Sequence, residues 1–207
     1  MSKIQCIPGP VGRLETMLTE PEQAPVGIAV ICHPHPLHGG TMHNKVVTAL
    51  AKACLAQQAL VLRFNYRGVE GSEGEFDCAK GELDDCRVVI EWARQQYPGL
   101  PVWLAGFSFG AYIATQVAHD DLSIQRCIAI APAIKHYRFD ALTQLHCPWL
   151  VVQGDQDEVV PCESVQRWWA LSEKQADQKL HILLGAGHFF HGRLIELRDI
   201  VRDWLAN

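Results

Sequence analysis

The sequence predicts an α/β protein built on a mostly parallel, twisted sheet with helices on both faces. Continuous apolar runs of strand length recur along the chain, as expected of strands that are covered on both faces. Segments whose apolar residues have helical spacing lie between most of these runs. Strands that alternate with helices along a chain form parallel sheets with right-handed crossovers, which leads to the predicted fold class.

The predicted elements follow one another without a linker, an internal repeat or a low-complexity tract. Each strand is an apolar run bounded by turn residues, and each helix has an apolar side. The second helix carries acidic residues in its first turns, where the helix dipole favours negative charge. The predicted strands are 4–7, 11–18, 27–32, 59–64, 102–105, 125–130, 149–152 and 180–184, and the predicted helices are 44–57, 81–96, 111–117, 161–171 and 190–205.

Length and composition predict a single globular domain over residues 1–207, with 48% hydrophobic and 20% charged residues. The net charge of −5 is mild and no block of like charge occurs, so we expect no nucleic-acid partner. The sequence shows neither a secretory signal nor a run long enough to span a membrane. We therefore expect a cytoplasmic protein without a membrane partner, whose oligomeric state the sequence leaves open.

The eight cysteines are scattered, and none belongs to a Cys-x-x-Cys pair. Several of them, such as Cys32 and Cys127, lie within apolar strand-like runs. A chain of this length can bury a full core without a disulfide framework. We therefore expect reduced cysteines that pack as small hydrophobic residues in a reducing compartment.

The motif with the most chemical content is Gly106-Phe107-Ser108-Phe109-Gly110, between a predicted strand and a predicted helix. This is the nucleophile-elbow pattern, in which a serine occupies a sharp turn from strand to helix. Glycines are needed two residues to either side of Ser108, because larger side chains would collide there. The turn exposes the serine hydroxyl and brings the N–H of Phe109 beside it.

Two later strand ends supply an acid and a base. The strand at 149–152 leads into a turn that contains Asp155 and Asp157, and the strand at 180–184 leads into Gly-x-Gly and His188. A neutral imidazole can remove the proton of a serine, and a buried carboxylate can orient that imidazole. His188 is the predicted base; His191 is the alternative, predicted to lie on the last helix, and His181 is interpreted as a structural residue of its strand.

The order of serine, acid and histidine is that of the α/β-hydrolase fold, and the chain resembles the α/β-hydrolase superfamily across nearly its whole length. More finely, it resembles small uncapped bacterial serine hydrolases of the dienelactone-hydrolase-like group. Residues 33–47 and 64–74, the elbow, the Gly-x-x-Asp-x-Val-Val-Pro turn and the Gly-x-Gly-His turn carry this resemblance. Dienelactone hydrolases proper use cysteine where this chain has Ser108, so their substrate is not transferred.

The resemblance implies that Asp157 is the acid, because it lies three residues after the glycine that ends its strand. Asp155 is the alternative; otherwise it would brace the turn through an Asx-type hydrogen bond. The interval between Ile130 and Trp149 is too short for the large cap domain that many members of this fold insert there. We therefore expect no large cap, with a small lid at 133–146 as the open alternative.

Two backbone N–H groups are expected to form the oxyanion hole. Phe109 supplies one, and the loop after Cys32 should supply the other. Pro34 and Pro36 have no N–H, so His35 between them is the predicted donor. The expected substrate-binding residues around Ser108 are Leu37, Phe107, Tyr137 and Phe189.

The loop after Cys32 also raises the question of a metal. It contains four histidines that could act as ligands, but their spacing fits no standard site and no carboxylate cluster adjoins them. We expect no metal and no cofactor. The four loop histidines are His33, His35, His38 and His43.

A further polar residue, Arg67, lies in the loop after the strand at 59–64. It could bind a substrate carboxylate or form a salt bridge to Glu73 or Glu75.

Together these features predict a serine hydrolase that cleaves small carboxylic esters or thioesters through a Ser-His-Asp triad and an acyl-enzyme intermediate. Fold alone does not establish function. The alternative is a protein of a different functional class, a binding or scaffold protein that keeps the fold and has little catalytic activity.

Overall fold

The computed structural model describes residues 2–142, 144–173 and 177–207. Within these ranges, eight strands form one sheet in the order β1-β2-β4-β3-β5-β6-β7-β8. The strands are β1 (Ser2–Gly9), β2 (Gly12–Thr19), β3 (Gly27–Cys32), β4 (Ala59–Phe64), β5 (Val102–Phe107), β6 (Ile124–Ile130), β7 (Trp149–Gly154) and β8 (Gln178–Leu183). The helices are α1 (Lys45–Ala56), α2 (Lys80–Gln96), α3 (Phe109–Asp120), α4 (Cys162–Ala170) and α5 (Leu194–Leu205).

The sheet is parallel from β4 to β8 and antiparallel at one edge. β1 and β2 form a hairpin in which Gly9 pairs with Gly12, and β2 runs antiparallel to β4. Every residue of β3, β5 and β7 is buried, which explains their continuous apolar sequences. The predicted fold class, a mostly parallel sheet with helices on both faces, is confirmed.

Helices cover the sheet on both sides. On one face α1 packs against α5, and their apolar residues share a core cluster with β3, β5, β6 and β7. The second cluster contains residues of α2, α3 and α4 on the opposite face. Asn44 begins α1 by accepting hydrogen bonds from the N–H groups of Val46 and Val47, as a helix N-cap does. With both faces of the sheet covered by helices, the carboxyl ends of the parallel strands lie together at one edge of the sheet.

Three tryptophans form a compact cluster where β7 meets α4. The rings of Trp149 and Trp168 lie 5.4 Å apart, and the rings of Trp149 and Trp169 lie 5.2 Å apart. The indole N–H of Trp168 donates a 2.9 Å hydrogen bond to the carbonyl of Phe139. This bond attaches the connection between β6 and β7 to the core, where Phe139–Ala141 forms a single 3₁₀ turn.

The last helix differs from its predicted extent. It begins at Leu194 and not at residue 190, because Phe190 has a φ of 52° and Gly192 has a φ of 72°. Positive φ values at these positions interrupt a right-handed helix. The prediction that His191 lies on this helix is therefore wrong, and His191 belongs to the turn that precedes it.

All eight cysteines carry free thiols. Five of them are buried, among them Cys32 and Cys127, and these pack within the core as predicted. In the ranges that the structure describes, no helix is both long and apolar enough to cross a bilayer.

Candidate active site

Ser108 occupies a strained backbone conformation between β5 and α3, with φ 56° and ψ −111°. The turn is crowded. A Cβ atom on Gly106 would lie 2.0 Å from the carbonyl oxygen of Gly110. A Cβ atom on Gly110 would lie 2.2 Å from the carbonyl oxygen of Cys32. Both glycines are therefore required by close approach of the backbone, as the sequence pattern predicts.

The hydroxyl of Ser108 faces the imidazole of His188, with 3.1 Å between Oγ and Nε2. His188 lies in the turn after β8 and is only 3% exposed. The rings of Phe107 and Phe189 pack against it at 5.0 and 5.1 Å. These contacts fix the plane of the imidazole and keep its outer nitrogen directed at the serine.

The carboxylate of Asp157 lies on the opposite side of the imidazole, with 2.8 Å between Oδ2 and Nδ1 of His188. Its Oδ1 accepts hydrogen bonds from the N–H groups of Val159 and Val160 at 2.8 and 2.6 Å. Burial raises the pKa of Asp157, but the hydrogen bonds from His188 and from these backbone amides outweigh it. The pKa therefore lies below its usual value, and the carboxylate is charged at neutral pH.

Gln153 is a member of this network that the sequence analysis missed. Its side-chain Nε2 donates to Asp157 Oδ2 and to the carbonyl of Val160, both at 2.9 Å. Gln153 lies near the end of β7 and is fully buried. A polar side chain in an otherwise apolar strand was the available signal. Its amide helps to orient the carboxylate towards His188.

Two neighbouring acids have other partners. Asp155 Oδ1 accepts a 2.6 Å hydrogen bond from the N–H of Gly185, which links the turns after β7 and β8. Glu158 Oε2 accepts a 3.1 Å hydrogen bond from the N–H of His188. Of these acidic side chains, only Asp157 hydrogen-bonds the imidazole within the described part of the chain.

The loop after β3 places a second histidine under the site. His33 Nδ1 donates to the carbonyl of Pro34 at 2.7 Å, and its Nε2 accepts from the N–H of Tyr66 at 3.2 Å. Burial lowers the pKa of His33 to about 3, although the bond to Pro34 opposes this shift. His33 is therefore a neutral structural residue that joins the loop to the strand end before Tyr66.

The four loop histidines do not converge on a common point. His35 and His38 stack with ring centroids 4.4 Å apart, while His33 is occupied by backbone partners. Across the described ranges, no group of three or more His, Cys, Asp or Glu side chains is arranged to hold a metal ion.

A cavity of about 180 Å³ opens beside the serine. The N–H groups of His35 and Phe109 donate no hydrogen bond to any described protein acceptor. Both are therefore free to donate a hydrogen bond to an oxyanion. Both residues border this cavity. The lining residues are His35, His38, Ser108, Phe109, Ala133, His136, Tyr137, Val159 and Val160.

Among the four expected substrate-binding residues, Tyr137 borders this cavity and the other three do not. Phe107 is completely buried beneath His188. Leu37 is 69% exposed to solvent. Phe189 is 42% exposed and faces a separate surface depression beside the start of α1. These three residues lie next to loop and elbow residues in the sequence, but that position did not determine the direction of their side chains.

Arg67 does not form the predicted salt bridge. Its guanidinium is buried against Asp85 on α2, with 2.8 Å between Nη2 and Oδ1. Glu73 instead pairs with Arg13 at 2.9 Å. Since Arg67 is occupied inside the protein and does not border the cavity beside Ser108, it is not available to a substrate there.

The fold, the elbow and the short connection between β6 and β7 define an α/β-hydrolase without a lid domain. The connection spans residues 131–148, and its described part holds one 3₁₀ turn and no cap domain; Ala133, His136 and Tyr137 of this connection border the cavity beside Ser108. The chain belongs to the hydrolase family described as serine aminopeptidase S33, whose model matches residues 28–141. The predicted resemblance to uncapped α/β-hydrolases is confirmed.

Relatives with solved structures share this architecture. A serine hydrolase homologue from Coxiella burnetii is 46% identical, with a TM-score of 0.93 over 97% of this chain and 96% of that one. XC6422 from Xanthomonas campestris, an α/β serine hydrolase without a lid, is 40% identical, with a TM-score of 0.91 over 99% and 94%. Among relatives found by sequence, an uncharacterized protein of Rickettsia prowazekii, RP471, is 36% identical over 95% of this chain and 86% of its own length.

Proposed function

We propose that this protein is a serine hydrolase that cleaves small carboxylic esters or thioesters with Ser108, His188 and Asp157 as its catalytic triad. The observation that carries the proposal is the continuous hydrogen-bonded line from hydroxyl to imidazole to carboxylate. Its two distances are 3.1 Å from Ser108 to His188 and 2.8 Å from His188 to Asp157. A serine so placed can lose its proton to the imidazole as it attacks.

The mechanism has two steps. Ser108 Oγ attacks the carbonyl carbon while His188 Nε2 takes its proton, and the N–H groups of His35 and Phe109 bind the oxyanion. His188 then gives the proton to the departing alcohol or thiol, which leaves an acyl group on the serine. A water molecule then attacks the acyl carbonyl while His188 takes its proton, and His188 returns that proton to Ser108 Oγ as the acid is released. Asp157 keeps the imidazole oriented and stabilises its protonated form.

The size of the site favours small acyl groups. The cavity beside Ser108 holds about 180 Å³, and the described part of the chain places no lid domain over it. A long alkyl chain would therefore leave much of its length in water and gain little from burial. Among straight-chain acyl groups, we expect those of roughly two to six carbons to be preferred over longer ones.

The charge of the site favours esters over peptides as substrates. The protonated amino terminus of a peptide loses hydration when it enters a cavity, and this costs free energy unless an anionic group pairs with it. Among the described residues that line the cavity, none is Asp or Glu, and the polar ones are histidines, Ser108 and Tyr137. An ammonium group would find no ion-pair partner there.

A fluorophosphonate probe tests the proposal directly. We expect stoichiometric labelling of Ser108, detected by mass spectrometry of the tryptic peptide, and no labelling of Ser108→Ala. Folded wild-type protein that is not labelled would instead support the scaffold alternative. A panel of 4-nitrophenyl esters and acyl thioesters of graded chain length then separates esterase from thioesterase activity.

A further inference from the structure

We propose that the cavity beside Ser108 selects substrates with an aromatic ring in the acyl group; this rests on the proposed hydrolase function. Five of the nine residues that line the cavity carry rings. The apolar remainder consists of small or branched side chains, Ala133, Val159 and Val160. Ring side chains therefore make up most of the wall where an acyl group would lie, and Phe109, which is only 1% exposed, supports this wall through its contacts with His35 and Tyr137. The five ring residues are His35, His38, Phe109, His136 and Tyr137.

The rings already contact one another in the arrangements that aromatic groups prefer. Tyr137 and Phe109 have centroids 5.2 Å apart at an interplanar angle of 64°. His35 and Phe109 lie 5.3 Å apart at 53°. Offset or edge contacts at roughly 4.5–7 Å are favourable for aromatic pairs. A substrate ring would extend this set of contacts.

The wall that carries Tyr137 is held in place before any substrate arrives. Tyr137 stacks on Tyr112 of α3, with centroids 4.8 Å apart and an interplanar angle of 20°. Two residues later, Phe139 is buried, and its carbonyl accepts the hydrogen bond from Trp168. Burial raises the pKa of Tyr137 to about 12, so its ring is uncharged at neutral pH. Little ordering of this wall is required on binding.

The volume matches a single ring. An apolar protein cavity of about 150 Å³ is known to bind benzene. The cavity beside Ser108, at about 180 Å³, can hold a six-membered ring and the carbon that links it to the carbonyl.

The acyl side of the substrate is the side that belongs in this cavity. The acyl group stays attached to Ser108 during the second step, whereas the alcohol must leave and water must enter. The cavity, which also borders the proposed oxyanion donors His35 and Phe109, therefore suits the acyl group, and the solvent outside it suits the leaving group and water.

The test compares two esters of similar size, ethyl phenylacetate and ethyl cyclohexylacetate. In both, a methylene group separates the ring from the carbonyl, so ring conjugation does not alter its reactivity. The inductive effect of the phenyl ring is removed by dividing each kcat/KM by the rate constant for hydroxide hydrolysis of the same ester. We expect kcat/KM of the wild-type protein, followed by acid release, to be roughly threefold to tenfold higher for the phenyl ester. Equal values, or a preference for the cyclohexyl ester, would overturn the proposal.

Variants of Tyr137 test whether its side of the cavity causes the preference for the phenyl ester. Tyr137→Leu should bring the ratio of the two kcat/KM values close to one, while Tyr137→Phe, which keeps the ring, should retain it. Tyr97→Leu, at the far end of α2, is the matched control and should leave the ratio unchanged. A wild-type ratio that survives in Tyr137→Leu would overturn the role of this wall.

Two further substrates separate this proposal from the one on which it rests. If 4-nitrophenyl acetate is not hydrolysed, the proposed hydrolase function itself fails. If the protein prefers benzyl acetate to cyclohexylmethyl acetate but shows no preference between the two acyl rings, the assignment to the acyl side is wrong.

Discussion

Two buried histidines, His33 and His188, show how their surroundings decide what an imidazole can do. His33 donates to one backbone carbonyl and accepts from one backbone N–H, so both ring nitrogens are used by neutral groups. His188 has a carboxylate on one nitrogen and a serine hydroxyl on the other. Protonation of His33 would place an uncompensated charge in the core, whereas protonation of His188 produces an ion pair with Asp157.

The comparison shows that burial alone does not identify a catalytic base. Both side chains are almost inaccessible to solvent. What distinguishes them is a buried carboxylate that is itself held by Gln153 and two backbone amides. Such a carboxylate can stabilise positive charge on an imidazole, and a backbone carbonyl does so much less.

The largest effect should come from removing the hydroxyl that His188 faces. Ser108→Ala should lower ester turnover by about 10⁴–10⁶, because the nucleophile is lost. The elbow tolerates the smaller side chain, so the far-ultraviolet circular dichroism and Tm should match the wild type. Ser164→Ala on α4 is the control and should keep full activity. Substantial turnover in folded Ser108→Ala would mean that another group is the nucleophile.

The next effect tests whether the carboxylate makes the difference between the two histidines. Asp157→Asn should lower turnover by about 10⁴, since the amide cannot stabilise the protonated imidazole. Asp155→Asn should cost far less, because Asp155 contacts the N–H of Gly185 and not the imidazole. Steady-state kinetics on 4-nitrophenyl acetate measure both. The opposite ranking would assign the acid to Asp155.

A smaller effect is expected in the pH dependence of the free energy of unfolding, and His33 should cause it. Its pKa is about 3 in the folded protein and 6.5 in an unfolded chain, so the unfolded state binds more protons between these values. The free energy of unfolding must therefore fall as the pH falls through this window. Between pH 7.5 and 5.0 the contribution of His33 is about 2 kcal/mol.

Urea denaturation at the two pH values measures this contribution. His33→Gln cannot take up the proton, so it should lose about 2 kcal/mol less than the wild type over the same interval. His181→Gln, on the exposed side of β8, should behave like the wild type. An identical pH dependence in His33→Gln would show that His33 is not the group responsible.

The smallest effect is expected from metal removal. His33 is occupied by backbone groups and the other loop histidines do not converge with it. Dialysis against EDTA should therefore leave ester turnover unchanged, and elemental analysis should find no stoichiometric zinc. Loss of activity that returns only when a metal is added back would contradict this expectation.

Much of the fold could be predicted because the buried strands are uninterrupted apolar runs. β3 and β7 illustrate this, since each residue in them is buried. Asn44 likewise marks the start of α1 by a capping chemistry that is legible in the sequence. The start of α5 was missed because Phe190 adopts a positive φ that its residue type does not suggest.

The candidate site was predictable where it depends on the ends of neighbouring strands. Ser108, Asp157 and His188 follow β5, β7 and β8, whose carboxyl ends meet at one edge of the sheet. Gln153, Asp85 and the walls of the cavity depend on which side chains meet across the folded chain. Arg67 shows the limit: nearby acids in the sequence were plausible partners, but the partner lies on another element.

The tryptophan cluster gives this molecule an optical property that needs no label. Indole rings 5.2–6.0 Å apart have coupled electronic transitions, so Trp149, Trp168 and Trp169 should dominate a near-ultraviolet circular dichroism band. Trp168 is bonded to the segment that carries Tyr137, and Trp149 begins the strand that leads to Asp157. Changes in this band would follow the integrity of the cleft wall and of the acid turn in real time.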